Sequence, residues 1–403
     1  MHVIFPSIQT AMNWESYFTP VSNAVLAEDF NRSQYSSNIQ FYADGYDFPE
    51  LKEKAYDIVL IGVGYDTSDL SAGIYQTPDH IRYWLYRLYK GNYEVKIADL
   101  GNLNIRNSHD NLVEKLSDLL AELIYMGSVP VIIGGGKELT YANYLAYKKL
   151  GKYCNLLNVS STLNFSEATD ELTGSNFLSK ILADKDNHLF NYCNIGYQTY
   201  LNPQELIELF KGFHFDLLRL GEVRSRIEET EPLIRDVDFA SIDLGAVKYA
   251  DAPNTLFATP NGLTSDEICR IARYAGLSLK CTSVGFYGIK PAGKLEWTDH
   301  HLMAQCIWHF IEGFYLRKPE SMNTHDNTYI KYHVAYQGYP DEITFYKNKV
   351  TEKWWMGVPV SEKKQGKYHI LEYLVPCSAM DYEVAAHNEV PDRWIRVFKK
   401  LND

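Results

Sequence analysis

The chain has 403 residues, 46% of them hydrophobic, enough for one large core or a large core with a small appendage. Lysine and arginine total 39 against 51 acids, a net charge of −12, which argues against nucleic-acid or anionic-membrane binding. The six cysteines are scattered with no C-x-x-C pair, which points away from a zinc site or disulfide framework and towards reduced thiols in a cytoplasmic protein.

The opening Met1-His2-Val3-Ile4-Phe5-Pro6-Ser7 lacks the basic and long apolar regions of a signal peptide. No uninterrupted apolar run is long enough to span a bilayer, so membrane insertion is not expected. Residues 1–54 read as an irregular, polar and aromatic lead-in. Tyr56 to Gly64 is a short apolar run ending in glycines, the pattern of a central parallel strand. A helix follows from Pro78 to Tyr89, with Pro78 suited to its first turn. Tyr93 to Leu100 reads as a strand. Asn111 to Met126 is an amphipathic helix with Leu112, Leu116, Leu119, Leu120 and Leu123 on one side.

Val129 to Ile133 is the next strand and Glu138 to Leu150 the next helix. Further short apolar runs lie at Cys154–Val159, Tyr192–Tyr197, Phe239–Leu244 and Thr282–Tyr287. Helical stretches separate them at Pro203–Lys211, Ser265–Ala275 and Asp299–Leu316. This alternation predicts an α/β fold, a three-layer α/β/α sandwich around a mainly parallel sheet.

A polar break from Lys318 to Asn327 divides a domain of residues 1–318 from an extension of residues 319–403. In the extension, Glu342–Tyr346, Lys353–Val358 and Lys367–Val375 read as strands. Ser378 and Asp381 are spaced as a helix cap, and Pro391–Leu401 reads as a final helix. A small α+β unit of this size has a marginal core, so it is expected to dock on the main domain. Trp354-Trp355-Met356 suits either a core or a surface, and it is the candidate partner contact. A tyrosine-rich composition also fits a protein partner or a second copy of the chain.

From residue 56 to about 316 a series of segments resembles the arginase/agmatinase/formimidoylglutamase family, the ureohydrolases. The segments are Gly62-Val63-Gly64-Tyr65-Asp66 with Ala72-Gly73, Pro78-Asp79-His80-Ile81-Arg82, Ile97-Ala98-Asp99-Leu100-Gly101, and Pro130 to Tyr141 with its glycine triplet. Leu157 to Phe165, Gly174-Ser175-Asn176-Phe177, Asn194-Ile195-Gly196-Tyr197-Gln198, Ser241-Ile242-Asp243-Leu244-Gly245, Pro260 to Thr264 and Gly288-Ile289-Lys290-Pro291 follow in the family's order. The formimidoylglutamases are the most similar branch. The resemblance implies the arginase-like sandwich fold.

It also implies where the chemistry should stand. The family holds two manganese ions with two histidines and four aspartates, and a metal-activated hydroxide is its nucleophile. Those ligand positions fall on Lys137, Ser160, Thr162, Asn164, Asp243 and Gly245. The glutamate that orients the substrate guanidinium falls at Gly288. A protonated lysine has donors and no lone pair for a metal. The expectation is therefore no cofactor, with manganese absent, and a pseudoenzyme that acts by binding or scaffolding. The alternative is an active hydrolase of linear amidines with an atypical metal site. Lys137 and Asp243 are expected as an ion pair within ~4 Å, with Ser160, Thr162 and Asn164 completing its hydrogen bonds.

Three other patterns carry less. Gly62-x-Gly64 continues to Thr67 where a dinucleotide fingerprint needs glycine. Val131 and Glu138 break a phosphate-loop reading of Gly136-Lys137. His300-His301 beside Asp299 sits at a helix start, where adjacent side chains point apart.

Overall fold

The structure, a computed structural model, describes residues 13–26, 31–64, 76–92, 94–103, 109–166, 171–290, 297–320, 327–336, 340–362, 365 and 371–402. Ten strands form one sheet: β1 (Phe18–Thr19), β2 (Ile39–Phe41), β3 (Ile58–Val63), β4 (Ile97–Leu103), β5 (Val129–Ile133), β6 (Cys154–Val159), β7 (Leu189–Tyr197), β8 (Asp216–Arg219), β9 (Phe239–Asp243) and β10 (Ser283–Tyr287). Their order is β1-β4-β3-β5-β10-β9-β6-β7-β8, with β2 also paired to β4. Only β1 runs antiparallel to its neighbour. The central strands β3, β5, β6, β9 and β10 are buried along their whole length. Their mainly apolar sequences allow this, because helices cover both faces of a parallel sheet.

Alternate residues of each strand enter two separate cores. Ile58, Leu60, Val131 and Ile133 pack on one face with α1 (Thr77–Leu85), α7 (Thr230–Arg235), α8 (Ser265–Leu277) and α9 (Trp297–Tyr315). Val59, Ile61 and Ile132 pack on the other with α2 (His109–Tyr125), α3 (Thr140–Lys149), α4 (Phe177–Leu182) and α5 (Gln204–Gly212). One further short helix, α6 (Leu220–Ser225), follows β8. The fold is thus the expected α/β/α sandwich.

The Pro78-Asp79-His80-Ile81-Arg82 segment has a structural task. Arg82 is fully buried and donates to both carboxylate oxygens of Asp99 at 2.8 Å, and to Asp79 at 3.0 Å. Tyr86 and the Gly101 N–H complete the shell around Asp99 at 2.8 and 2.9 Å. This bidentate pair ties α1 to the end of β4.

Several boundaries differ from the sequence reading. The lead-in is not wholly irregular: Phe18–Thr19 and Ile39–Phe41 both pair with β4. The first helix stops at Leu85 rather than Tyr89, and β4 begins at Ile97. β8 and the helices α4, α6 and α7 were not expected. The loop holding Tyr65, Asp66, Ala72 and Gly73 lies outside the described residues, as do Tyr93, Pro291 and residues 367–370.

The last part of the chain forms a second, antiparallel sheet of β11 (Tyr329–Ala335), β12 (Glu342–Asn348), β13 (Trp354–Pro359) and β14 (Glu372–Cys377). Two helices, α10 (Ala379–Ala386) and α11 (Asp392–Asn402), follow. Ser378 caps α10, with Asp381 completing the capping box. Ile343, Phe345, Met356, Val358, Val375 and Trp394 build a separate small core. Polar contacts fasten this unit beside the β8 edge. Arg235 donates to the Cys377 carbonyl at 3.0 Å, Arg393 to Pro232 at 3.2 Å, and Arg396 pairs with Asp216 at 3.1 Å. Among the described residues no helix is long and apolar enough to cross a membrane.

Candidate functional site

Strands β5, β10, β9 and β6 are consecutive neighbours, so their carboxyl ends stand side by side, where open α/β sheets place their ligands. After β5 the chain turns through Gly134, whose φ is 82°. A Cβ there would stand 3.0 Å from the Val63 carbonyl, so glycine is what the close approach tolerates. The turn delivers Lys137 over the end of β9.

Lys137 Nζ lies 3.2 Å from Asp243 Oδ2, with the side chains 10% and 5% exposed. The other carboxylate oxygen accepts the Gly245 N–H at 2.8 Å. The ammonium also sits 5.1 Å from the centre of the Phe257 ring. Gly288, at the end of β10, has φ 88°, and a Cβ there would fall 2.1 Å from Asp243 Oδ1. The position expected to carry a guanidinium-orienting acid therefore has no room for a side chain in this arrangement.

Ser160, Thr162 and Asn164 do not complete the shell of the ion pair, contrary to expectation. They bond among themselves and to the neighbouring loop. The Thr162 N–H reaches Ser160 Oγ at 3.3 Å, and Asn164 Nδ2 donates to Thr162 Oγ1 at 3.3 Å and to the Gly174 carbonyl at 2.9 Å. Asn158 donates to Asn164 at 2.9 Å and to the Tyr192 hydroxyl at 2.8 Å, and Tyr192 in turn donates to the Leu163 carbonyl at 3.1 Å. Burial pushes the Tyr192 phenol well above its usual range, so it stays neutral. A buried network of neutral amides and hydroxyls thus fixes the loop after β6. Asn158 and Tyr192 were missed by sequence reasoning. Their signal was the period-two spacing of Asn158 and Ser160 along β6 and the pairing of Asn158 with Asn194 on β7.

The outer part of this loop lines a cleft of about 300 Å³. Lys137, Thr162 and Asn164 face it together with Ser161, Phe165, Asn202 and Phe257. Asp243 lies beneath the lysine rather than on the wall. The other sequence candidates stand elsewhere. His300 is buried with its ring 5.4 Å from that of His80, and His301 stacks on Trp84 at 4.3 Å. Burial lowers the pKa of His301. The structure also turns the expected partner contact inwards. Trp355 and Met356 are 3% and 0% exposed, and Trp354 stacks on Tyr332 and Tyr382 at 5.2 and 5.1 Å. Trp355 lies under the Arg235 guanidinium at 4.5 Å, so the cluster serves the fit of the last unit to the sheet.

Two divalent manganese ions need several carboxylate or imidazole ligands. Among the described residues the site offers one carboxylate, Asp243, already bonded by Lys137 and Gly245. Among the described residues no group of three or more His, Cys, Asp or Glu stands together as a metal cage. The donors in this arrangement do not fit a two-manganese centre.

Comparison with known proteins gives a consistent picture. The model of the Arginase family matches residues 56–311. A formimidoylglutamase of Staphylococcus carnosus (strain TM300) is 24% identical over 267 residues, covering 62% of this chain and 82% of its own length. One from Staphylococcus aureus (strain MRSA252) is 23% identical over 252 residues, covering 60% and 79%. Among solved structures, formimidoylglutamase from Bacillus subtilis superposes with a TM-score of 0.63 at 18% identity, over 73% of this chain and 99% of its own. Trypanosoma cruzi formiminoglutamase with Mn2+ superposes with a TM-score of 0.61 at 20% identity, over 67% and 97%. One expectation is corrected by these relatives. The sequence reading expects no cofactor and manganese absent, whereas a solved neighbour of the same fold is a manganese-bound enzyme.

Proposed function

The chain belongs to the arginase family, and we propose that within it this protein is a non-catalytic member, a pseudoenzyme of the ureohydrolase fold acting by binding or scaffolding. The observation that carries this reading is the ion pair of Lys137 with Asp243 at 3.2 Å on the cleft floor. Asp243 gives one oxygen to Lys137 and the other to the Gly245 N–H, and a protonated lysine stands where the family resemblance puts a metal ligand. The positions Lys137, Ser160, Thr162, Asn164, Asp243, Gly245 and Gly288 make up the altered site, with residues 1–318 as its scaffold and residues 319–403 as a docked extension.

A second reading has support of its own. The relatives named above are formimidoylglutamases, and they favour hydrolysis of a linear amidine by an atypical arrangement. Turnover separates the two. The purified chain, supplied with manganese, is offered N-formimidoylglutamate, agmatine and arginine. The proposal expects no product above the protein-free control. Multiple turnovers that disappear in Asp243→Asn would establish the hydrolase.

A further inference from the structure

We propose that the cleft over Lys137 selects a small monocarboxylate with a short aliphatic tail. This rests on the reading of the cleft as a binding site and names what it binds. Thirteen residues line the cleft, and the one charged side chain among them is Lys137. Among the described residues no acid lines the wall: Asp243 is 5% exposed and lies behind the lysine. Among the described lining residues an entering ligand meets a single positive charge, surrounded by neutral hydroxyl and amide groups such as Thr162 and Asn202.

Charge and size narrow the ligand class. The Lys137 ammonium has three N–H donors, and among the described residues its hydrogen bond is to Asp243. A carboxylate can accept from the remaining donors at the cost of sharing the cation with Asp243. A dianion would add a second negative charge close to that buried carboxylate, with no further cation among the described lining residues to offset it. A cation would face the ammonium directly. The volume of about 300 Å³ is at the small end for ligand pockets.

The apolar wall supplies the other half of the recognition. Phe257 is 53% exposed beside the ammonium, at 5.1 Å from ring centre to Nζ. Phe165 and Leu206 face the same space. An alkyl tail laid along these side chains removes apolar surface from water while the carboxylate stays on Lys137.

Three probes of similar size test the charge selection on the full chain: butyrate, butyramide and n-butylammonium, each followed by ligand-observed NMR and by thermal shift at low salt. Butyrate is expected to bind about tenfold tighter than either of the others, the contribution of one charge-assisted hydrogen bond. The double substitution Lys137→Gln with Asp243→Asn leaves no unpaired buried charge, so it should fold, and it should bring the three probes to similar affinity. Phe257→Ser should weaken butyrate while its preference over n-butylammonium remains. Equal or tighter binding of n-butylammonium, no binding of butyrate, or a butyrate preference that survives in the double variant would each overturn the proposal. Failure here is distinct from failure of the non-catalytic reading, which falls only if an amidine is turned over.

Discussion

Replacing Lys137 with alanine removes the cation that pairs with Asp243 and leaves a carboxylate 5% exposed. At 3.2 Å the attraction is about 5 kcal/mol for an effective dielectric near 20. Most of it offsets the desolvation of the two groups, so the intact pair contributes little net stability. Its rupture is different, because one charge stays buried without its counterion, typically at about 3–5 kcal/mol. Lys137 borders the cleft, so water can approach, and the lower end, about 3 kcal/mol, is expected. Part of any loss could come from packing, since a Cβ on Gly174 would stand 2.8 Å from the Lys137 stem. Lys137→Met keeps that stem and should cost nearly as much as alanine if charge is the cause. Lys137→Ala with Asp243→Ala should be milder than Lys137→Ala alone, giving a coupling of about 2 kcal/mol. Urea unfolding followed by circular dichroism measures the parent, Lys137→Ala, Lys137→Met, Asp243→Ala and the double variant. Additive single and double variants, or a Lys137→Met variant as stable as the parent, would refute the reasoning.

Other positions give independent tests. Gly288→Ala puts a Cβ on a left-handed residue, 2.1 Å from Asp243 Oδ1, and should lower stability by more than about 1 kcal/mol in the same urea assay. Arg82→Ala strands the buried Asp99 carboxylate and should cost about 3–5 kcal/mol, visible as a large drop in the unfolding midpoint. Lys400, in α11, donates to Asn191 at 2.5 Å, and burial brings its ammonium down to about 8 from the ordinary 10.5. Between those values the unfolded chain holds more protons than the folded one, so this group's contribution to stability rises with pH through that window and is lost as pH falls through about 8. Lys400→Met should remove that rise, read as the difference between parent and variant melting temperatures at pH 7 and pH 9.

The central strands were legible because each is a short, mainly apolar run between turn residues, with at most two polar side chains, a pattern that burial on both faces produces. β1 and β2 were not, because two or three residues carry no periodicity and exist only by pairing with β4. β8, with the sequence Asp216-Leu217-Leu218-Arg219, is equally short, and α4, α6 and α7 have six residues each. β11 escaped notice for another reason: most of its residues are partly or fully exposed, so its Lys331 and His333 mask the strand pattern. In the site, Lys137 and Asp243 could be brought together from sequence because both end strands of one sheet. The partners of Asn164 could not, since Asn158 and Tyr192 meet it only through the β6–β7 register and a loop that doubles back. Trp355 and Met356 show a related limit. A tryptophan beside a methionine suits a core and a surface equally, and the choice was made by Arg235 and the docked sheet.

The central claim is that the Lys137–Asp243 pair marks a cleft that binds without turning over the family's substrates. The most direct measurement follows N-formimidoyl-glutamate, 13C-labelled at the formimidoyl carbon, by NMR with the full chain and added manganese. The account predicts that the labelled resonance keeps its intensity for as long as it does without protein. Growth of a formamide resonance over many turnovers, abolished by Asp243→Asn, would contradict it.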